Sequence, residues 1–128
     1  MSQERKTILV ADDEASIRKL IVSALASRGF KTVEARNGLE AVQIYGTHGA
    51  IDLVITDLQM PVMDGLEAIE RLRSIDPDVR VIVVSARAAE FERSGSPVRS
   101  WLSKPFSVQD LLTLVSRELD SGGPAATA

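Results

Sequence analysis

The amino-acid sequence predicts a doubly wound α/β sandwich, a parallel sheet covered by helices on both faces. Short runs of Val, Ile and Leu recur along the chain as continuous apolar segments rather than alternating ones, the pattern of strands buried on both sides. Between them lie stretches whose apolar residues repeat at steps of three and four, the period of a helix packed on one face. Strand and helix patterns therefore alternate five times within 128 residues, which suits one domain near the commonest size.

The first strand is predicted at "TILVA" (Thr7 to Ala11). A helix follows from Ala15 to Arg28, with Ile17, Leu20, Ile21, Ala24 and Leu25 on one face and Gly29 as its stop. "KTVEA" (Lys31 to Ala35) is shorter and more mixed, as an edge strand would be. Asn37 with Glu40 three residues later resembles a capping box opening the second helix, "LEAVQIY". "LVIT" (Leu53 to Thr56) is the third strand. After Gly65, residues Leu66, Ile69 and Leu72 form a third helical stripe that "DPD" (Asp76 to Asp78) ends. The fourth strand is predicted over "VRVIVVS" (Val79 to Ser85). The pattern then weakens in Arg87 to Ser100, which has room for one or two helical turns around Ala88 to Arg93 before Gly95 and Pro97 break them. "SWLS" (Ser100 to Ser103) is a weak fifth strand. Ser107 with Asp110 starts a last helix carrying Leu111, Leu112, Val115 and Leu119 on one side. The domain is expected over residues 1–120, with "SGGPAATA" (121–128) as a flexible tail or linker stub.

Composition narrows the function classes. With 45% hydrophobic and 26% charged residues the chain can bury a core, and with 4% aromatic that core must be aliphatic. A net charge of −3 argues against nucleic-acid or membrane binding by bulk electrostatics. The absence of cysteine excludes disulfides and thiolate metal sites. "MSQERKT" does not read as a signal peptide, and no apolar run approaches a membrane span. A cytoplasmic location is the expectation.

Polar residues gather at the predicted carboxyl ends of the strands, where parallel α/β sheets bind ligands. Asp12 and Asp13 follow the first strand and Asp57 the third; Ser85 ends the fourth, and Lys104 lies just past the fifth. If the first and third strands are neighbours, three carboxylates converge. Their mutual repulsion calls for a counter-charge, and Mg²⁺ suits a few carboxylates plus waters. Lysine and serine complete a site for a small tetrahedral oxyanion, and a central carboxylate can itself become an aspartyl phosphate. Each residue alone has a plainer reading: Asp12 and Asp13 could cap the first helix, Asp57 a turn before Pro61, Asp64–Gly65 is an ordinary loop-to-helix junction, and Lys104–Pro105 could be a surface turn. Their coincidence on one sheet edge favours a site. His48, in "GTHGA", reads as a solvated loop histidine, and Met60 and Met63 as packing beside the site.

These residues resemble the receiver domain of two-component response regulators, from about Lys6 to Leu119. "VADDE", "VITDLQMPVMDGLEAI", "VVSA" and "WLSKPF" carry the resemblance in order. It implies a flavodoxin-like five-stranded sheet of order 2-1-3-4-5. It implies that Asp57 accepts a phosphoryl group from a histidine kinase or phosphotransfer protein. It further implies Mg²⁺ on Asp13, Asp57 and the Gln59 backbone carbonyl, with Asp12 acting through water. Lys104 would contact the phosphoryl group, and Lys104–Pro105 would be cis. Ser85 would move toward the phosphoryl oxygen with Ala86 leaving room for it, Trp101 would be its partner in the switch, and Gln59 and Arg87 would tune phosphoryl lifetime. The family's switch aromatic is usually Tyr or Phe, and here it is Trp101. The segment from Ser85 to Lys104 is a few residues short, with Pro97–Val98 where a small Gly-Ala pair is usual, so the fourth helix should be short or irregular. The expected output is an unidentified partner protein or domain, with the chain a monomer or phosphorylation-dependent dimer, either a stand-alone regulator or an excised receiver. Two rivals are a receiver-like interaction module without regulated phosphorylation and a small Mg²⁺-dependent aspartyl-phosphate phosphatase. The second lacks an acid two residues after Asp57.

Overall fold

The computed structural model describes residues 5–92, 98 and 100–120. Five strands, β1 (Thr7–Ala11), β2 (Lys31–Ala35), β3 (Leu53–Thr56), β4 (Val81–Ser85) and β5 (Ser100–Ser103), form one parallel sheet of order β2-β1-β3-β4-β5. Helices α1 (Ala15–Ala26), α2 (Gly38–His48), α3 (Gly65–Ile75), α4 (Ala88–Glu92) and α5 (Val108–Asp120) alternate with them. The flavodoxin-like order that the resemblance implied is the one observed.

Two apolar clusters flank the sheet. On one face Ile8, Val10, Leu53, Ile55, Ile82 and Val84 pack with Ile21 and Leu25 of α1 and Leu111 and Val115 of α5. On the other, Leu9, Val54, Val81 and Val83 pack with Ala41 of α2 and Ile69 and Leu72 of α3. β1, β3 and β4 are buried at every position, whereas β2 is exposed at both Lys31 and Glu34. The continuous runs are thus the central strands and the mixed run an edge, since burial on both faces leaves no side for a charged residue.

The caps expected at Asn37 and Ser107 form, and Asp64, read from the sequence only as a loop-to-helix junction, caps α3 as well. Asn37 Oδ1 accepts from the Glu40 N–H at 2.8 Å, Asp64 Oδ1 from the Glu67 N–H at 2.9 Å, and Ser107 Oγ from the Asp110 N–H at 3.0 Å. The Glu40 carboxylate returns to the N–H of Arg36, one residue earlier than a capping box requires.

Three boundaries correct the sequence reading. β4 begins at Val81 rather than Val79, because the Val79 N–H is drawn into the Asp76–Asp78 turn, donating to the Asp76 carbonyl. α1 stops at Ala26, and Gly29 (φ 87°) follows beyond the Ser27 cap. His48 is the exposed last residue of α2 rather than a loop residue, since the chain passes through Gly46 as helix and reverses only at Gly49 (φ 91°). α4 is five residues long, as the shortened segment implied. The expected breakers Gly95 and Pro97 and the tail 121–128 lie outside the described residues.

Candidate functional site

The last rungs of the ladders deliver the acids. Beyond β1 the Asp12 N–H donates to the Ala35 carbonyl of β2, and beyond β3 the Asp57 N–H donates to the Ala11 carbonyl of β1, both at 3.1 Å. Neighbouring parallel strands in register therefore release both residues at one edge, and Ala11 lies opposite Thr56. Carboxylate oxygens of Asp12, Asp13 and Asp57 all lie within 4.8 Å of one another. Asp12 is 1% exposed and Asp57 buried, while Asp13 faces solvent.

Lys104 crosses from the end of β5 to bind two of them. Its Nζ donates to Asp57 Oδ2 at 2.7 Å and to Asp12 Oδ2 at 2.9 Å, and it stands 3.7 Å from Glu14 Oε1. The remaining oxygens are held by main chain: Asp12 Oδ1 accepts from the Glu14 N–H, and Asp57 Oδ1 from the N–H groups of Leu58 and Gln59. Asp12 and Asp57 thus tether the turns that follow their strands, without being helix caps. The N-cap of α1 is Glu14, and its side chain makes no capping bond.

One ammonium faces the three carboxylates of the cluster. Burial raises the Asp12 carboxyl above its ordinary value; the Glu14 N–H and Lys104 offset this only in part, and Asp57 adds to it. Burial would pull the Lys104 ammonium down, but hydrogen bonds to Asp57 and Asp12 outweigh it and the net shift is upward. Both groups hold their protons more tightly, Asp12 chiefly because it is buried and Lys104 because two carboxylates face it. An all-oxygen, net-negative donor set open to solvent at Asp13 fits a hard divalent cation such as Mg²⁺.

The loop after β3 is held close by Gly65. Its N–H donates to the Leu58 carbonyl at 2.9 Å, and a Cβ there would stand 2.1 Å from the Asp57 carbonyl oxygen, so any side chain would displace the acid. Between, the Met63 N–H donates to the Pro61 carbonyl across Val62, whose φ is 70°.

The other predicted residues are distributed unevenly. Ser85 is fully buried at the end of β4; its Oγ accepts from the Arg87 N–H, and its carbonyl accepts from the Lys104 N–H at 3.1 Å. Trp101 lies in register with Val83 and packs half-buried against the cluster containing Val83 and Val98. Arg87 is exposed and ion-paired with Glu90, and Gln59 is exposed. Lys104–Pro105 is cis. Sequence reasoning missed Glu14, and it missed Arg18, whose guanidinium reaches the Asp12 carbonyl. A signal for Arg18 exists, a charged residue in the stripe that also carries Ile21 and Leu25.

A parallel sheet of this order with an acid trio and a lysine at its carboxyl edge is the architecture the resemblance implied. The family model for the response regulator receiver domain matches residues 8–116, and the chain belongs to that family. It is thereby a receiver domain of two-component signalling systems. It is 34% identical over 117 residues to the chemotaxis protein CheY of Bacillus subtilis, spanning 88% of this chain and 97% of that one. It is 37% identical to the DNA-binding transcriptional regulator NtrC of Azospirillum brasilense over 94% of this chain, but it spans only 25% of that protein's length. A solved structure of the response regulator protein TrrA from Thermotoga maritima, in complex with Mg(2+)-BeF, superposes with a TM-score of 0.80 at 33% identity, covering 89% of this chain and 99% of that one. Among the described residues no helix is long and apolar enough to cross a membrane.

Proposed function

We propose that the chain accepts a phosphoryl group on Asp57 in a Mg²⁺-dependent reaction, with a sensor histidine kinase or phosphotransfer protein as donor. The observation that carries the reading is the clamp on the Asp57 carboxylate. Oδ1 is fixed by two main-chain N–H groups, whereas Oδ2 is held, among the described residues, by the side chain of Lys104 alone, within reach of two further acids. An aimed carboxylate of this kind is a nucleophile whose partner charges are already arranged.

In the reaction a carboxylate oxygen of Asp57 bonds to the donor's phosphorus, the P–N bond to the donor imidazole breaks, and the leaving nitrogen keeps the electron pair and is protonated. The product is an acyl phosphate. Mg²⁺, held by Asp13, Asp57 and the Gln59 carbonyl with Asp12 acting through water, would neutralise carboxylate and phosphoryl oxygens. Lys104 exchanges its bond to Asp57 Oδ2 for one to a phosphoryl oxygen. Ser85 gives up the Arg87 N–H and turns its hydroxyl toward the phosphoryl group, and Trp101 follows as the readout toward an output partner. Gln59 and Arg87 border the site and set how readily water reaches the acyl phosphate.

The chain is a phosphoacceptor that assists its own phosphorylation and dephosphorylation, and it does not turn over a foreign ester. Incubation with a small phosphodonor and Mg²⁺ should add the mass of one phosphoryl group to the wild type and none to Asp57→Asn or to wild type in excess chelator. Absence of the gain in wild type would favour a receiver-like interaction module, and steady ester hydrolysis would favour a phosphatase.

A further inference from the structure

Among the described residues three charged side chains are buried: Asp12, Asp57 and Arg18. The first two belong to the acid cluster. Arg18 is 8% exposed on α1, in the stripe that also presents Ile21 and Leu25 to the sheet. A buried guanidinium is costly unless its donors are used. Here Nη1 donates to the backbone carbonyl of Asp12 at 2.7 Å, a buried bond, and Nε donates to Glu34 Oε1 at 2.7 Å.

The first of those bonds falls on the peptide unit that joins Asp12 to Asp13. The Asp12 N–H is already held by Ala35 of β2, and its carboxylate by Glu14 and Lys104. The bond from Arg18 fixes the remaining polar group, the carbonyl, and with it the orientation of the Asp12–Asp13 peptide. Asp13 needs that help, since its carboxylate makes no hydrogen bond among the described residues and it faces solvent. Glu34 sits on β2 opposite Val10, so the guanidinium is braced from the same strand that receives the Asp12 N–H. The fork therefore ties α1, β2 and the loop after β1 into one frame around the acids.

We propose that Arg18, braced by Glu34, is a positioning residue for the cation site: it acts through the Asp12 carbonyl to hold Asp13 where a divalent cation takes both acids. The inference rests on the reading of Asp12, Asp13 and Asp57 as the Mg²⁺ site. Residues that orient metal ligands change affinity by about 10–100-fold when removed.

The test is Mg²⁺ titration by calorimetry on wild type, Arg18→Met and Glu34→Gln, with the thermal midpoint of each metal-free protein measured alongside. Arg18→Met should weaken Mg²⁺ binding by about tenfold and Glu34→Gln by a few-fold. Phosphorylation by a small phosphodonor should need correspondingly more Mg²⁺ and return to the wild-type maximum at saturation. Glu34 is exposed on an edge strand, so Glu34→Gln decides the matter should Arg18→Met fail to fold. Wild-type Mg²⁺ affinity in both variants, or in Glu34→Gln alone if only it folds, whatever happens to the midpoints, would show that Arg18 serves the fold alone. If wild type itself bound no Mg²⁺ the underlying site reading would fall, and this proposal with it.

Discussion

Two residues carry a cost that the rest of the fold absorbs. Val62 is 75% exposed with φ 70°, the centre of a three-residue turn closed by the Met63 N–H on the Pro61 carbonyl at 2.7 Å. A β-branched side chain at positive φ is strained, by about 1–3 kcal/mol for such conformations. Val62→Asn should therefore raise stability by about 1 kcal/mol, seen as a higher urea midpoint at unchanged slope, and Val62→Gly should gain less because glycine loosens the unfolded chain. A lower midpoint for Val62→Asn would mean that the turn is held by contacts of the valine itself. Asp12 is the second. Its carboxyl is raised above 3.8 chiefly by burial, so the folded protein binds that proton more tightly than the unfolded chain does. The stability this contributes is present below the ordinary pKa and is lost as pH rises through the folded one. Asp12→Asn removes that loss. Without metal it should melt a few degrees higher than wild type at neutral pH, the gap closing toward acid, while Mg²⁺ should stabilise it less than wild type. Calorimetric scans with and without Mg²⁺ check both signs.

Among the elements, α2 abuts the loop after β3 closely. The Gly38 N–H donates to the Met63 carbonyl at 3.0 Å, and a Cβ at Gly38 would meet that oxygen at 2.3 Å and the Ala68 Cβ at 3.1 Å. Gly38→Ala should cost about 1–3 kcal/mol and shift the loop that carries Asp57, read together as a lower midpoint and slower phosphorylation. An unchanged midpoint would show that α2 can slide. At its other end α2 is joined to the end of α3 by the Tyr45 hydroxyl, which donates to Asp76 Oδ2 at 2.7 Å; burial, with the Asp76 carboxylate, pushes the phenol well up. Element types were legible from the sequence because central strands and helix stripes leave opposite periodicities, and because Asn37 and Ser107 cap from within their own segments. Boundaries set by turn chemistry were not: Val79 looked like strand and His48 like loop, as an apolar run does not reveal where its N–H groups go.

At the scale of the whole molecule, the site exists because two neighbouring parallel strands end in register and a lysine from the far edge strand reaches across β4's end. The residues alone put the acids directly after the apolar runs, and the resemblance supplied the strand order that makes β1 and β3 neighbours and the reach of Lys104 to Asp57. What did not follow depends on contacts between distant segments: Arg18 reaching the Asp12 carbonyl, the Gly38–Met63 seam, and the strained Val62 turn between the acid loop and α3. The two apolar clusters explain why this edge can bear excess charge, for they hold the strands from both faces while the acids lie beyond the last rungs. The central claim is that Asp57 alone takes the phosphoryl group. Its most direct measurement is phosphorylation with a small phosphodonor and Mg²⁺, borohydride reduction of the acyl phosphate, and peptide mapping by mass spectrometry. The account predicts homoserine at position 57 and nowhere else. Homoserine at Asp12 or Asp13, or phosphate found on Ser85 instead, would contradict it.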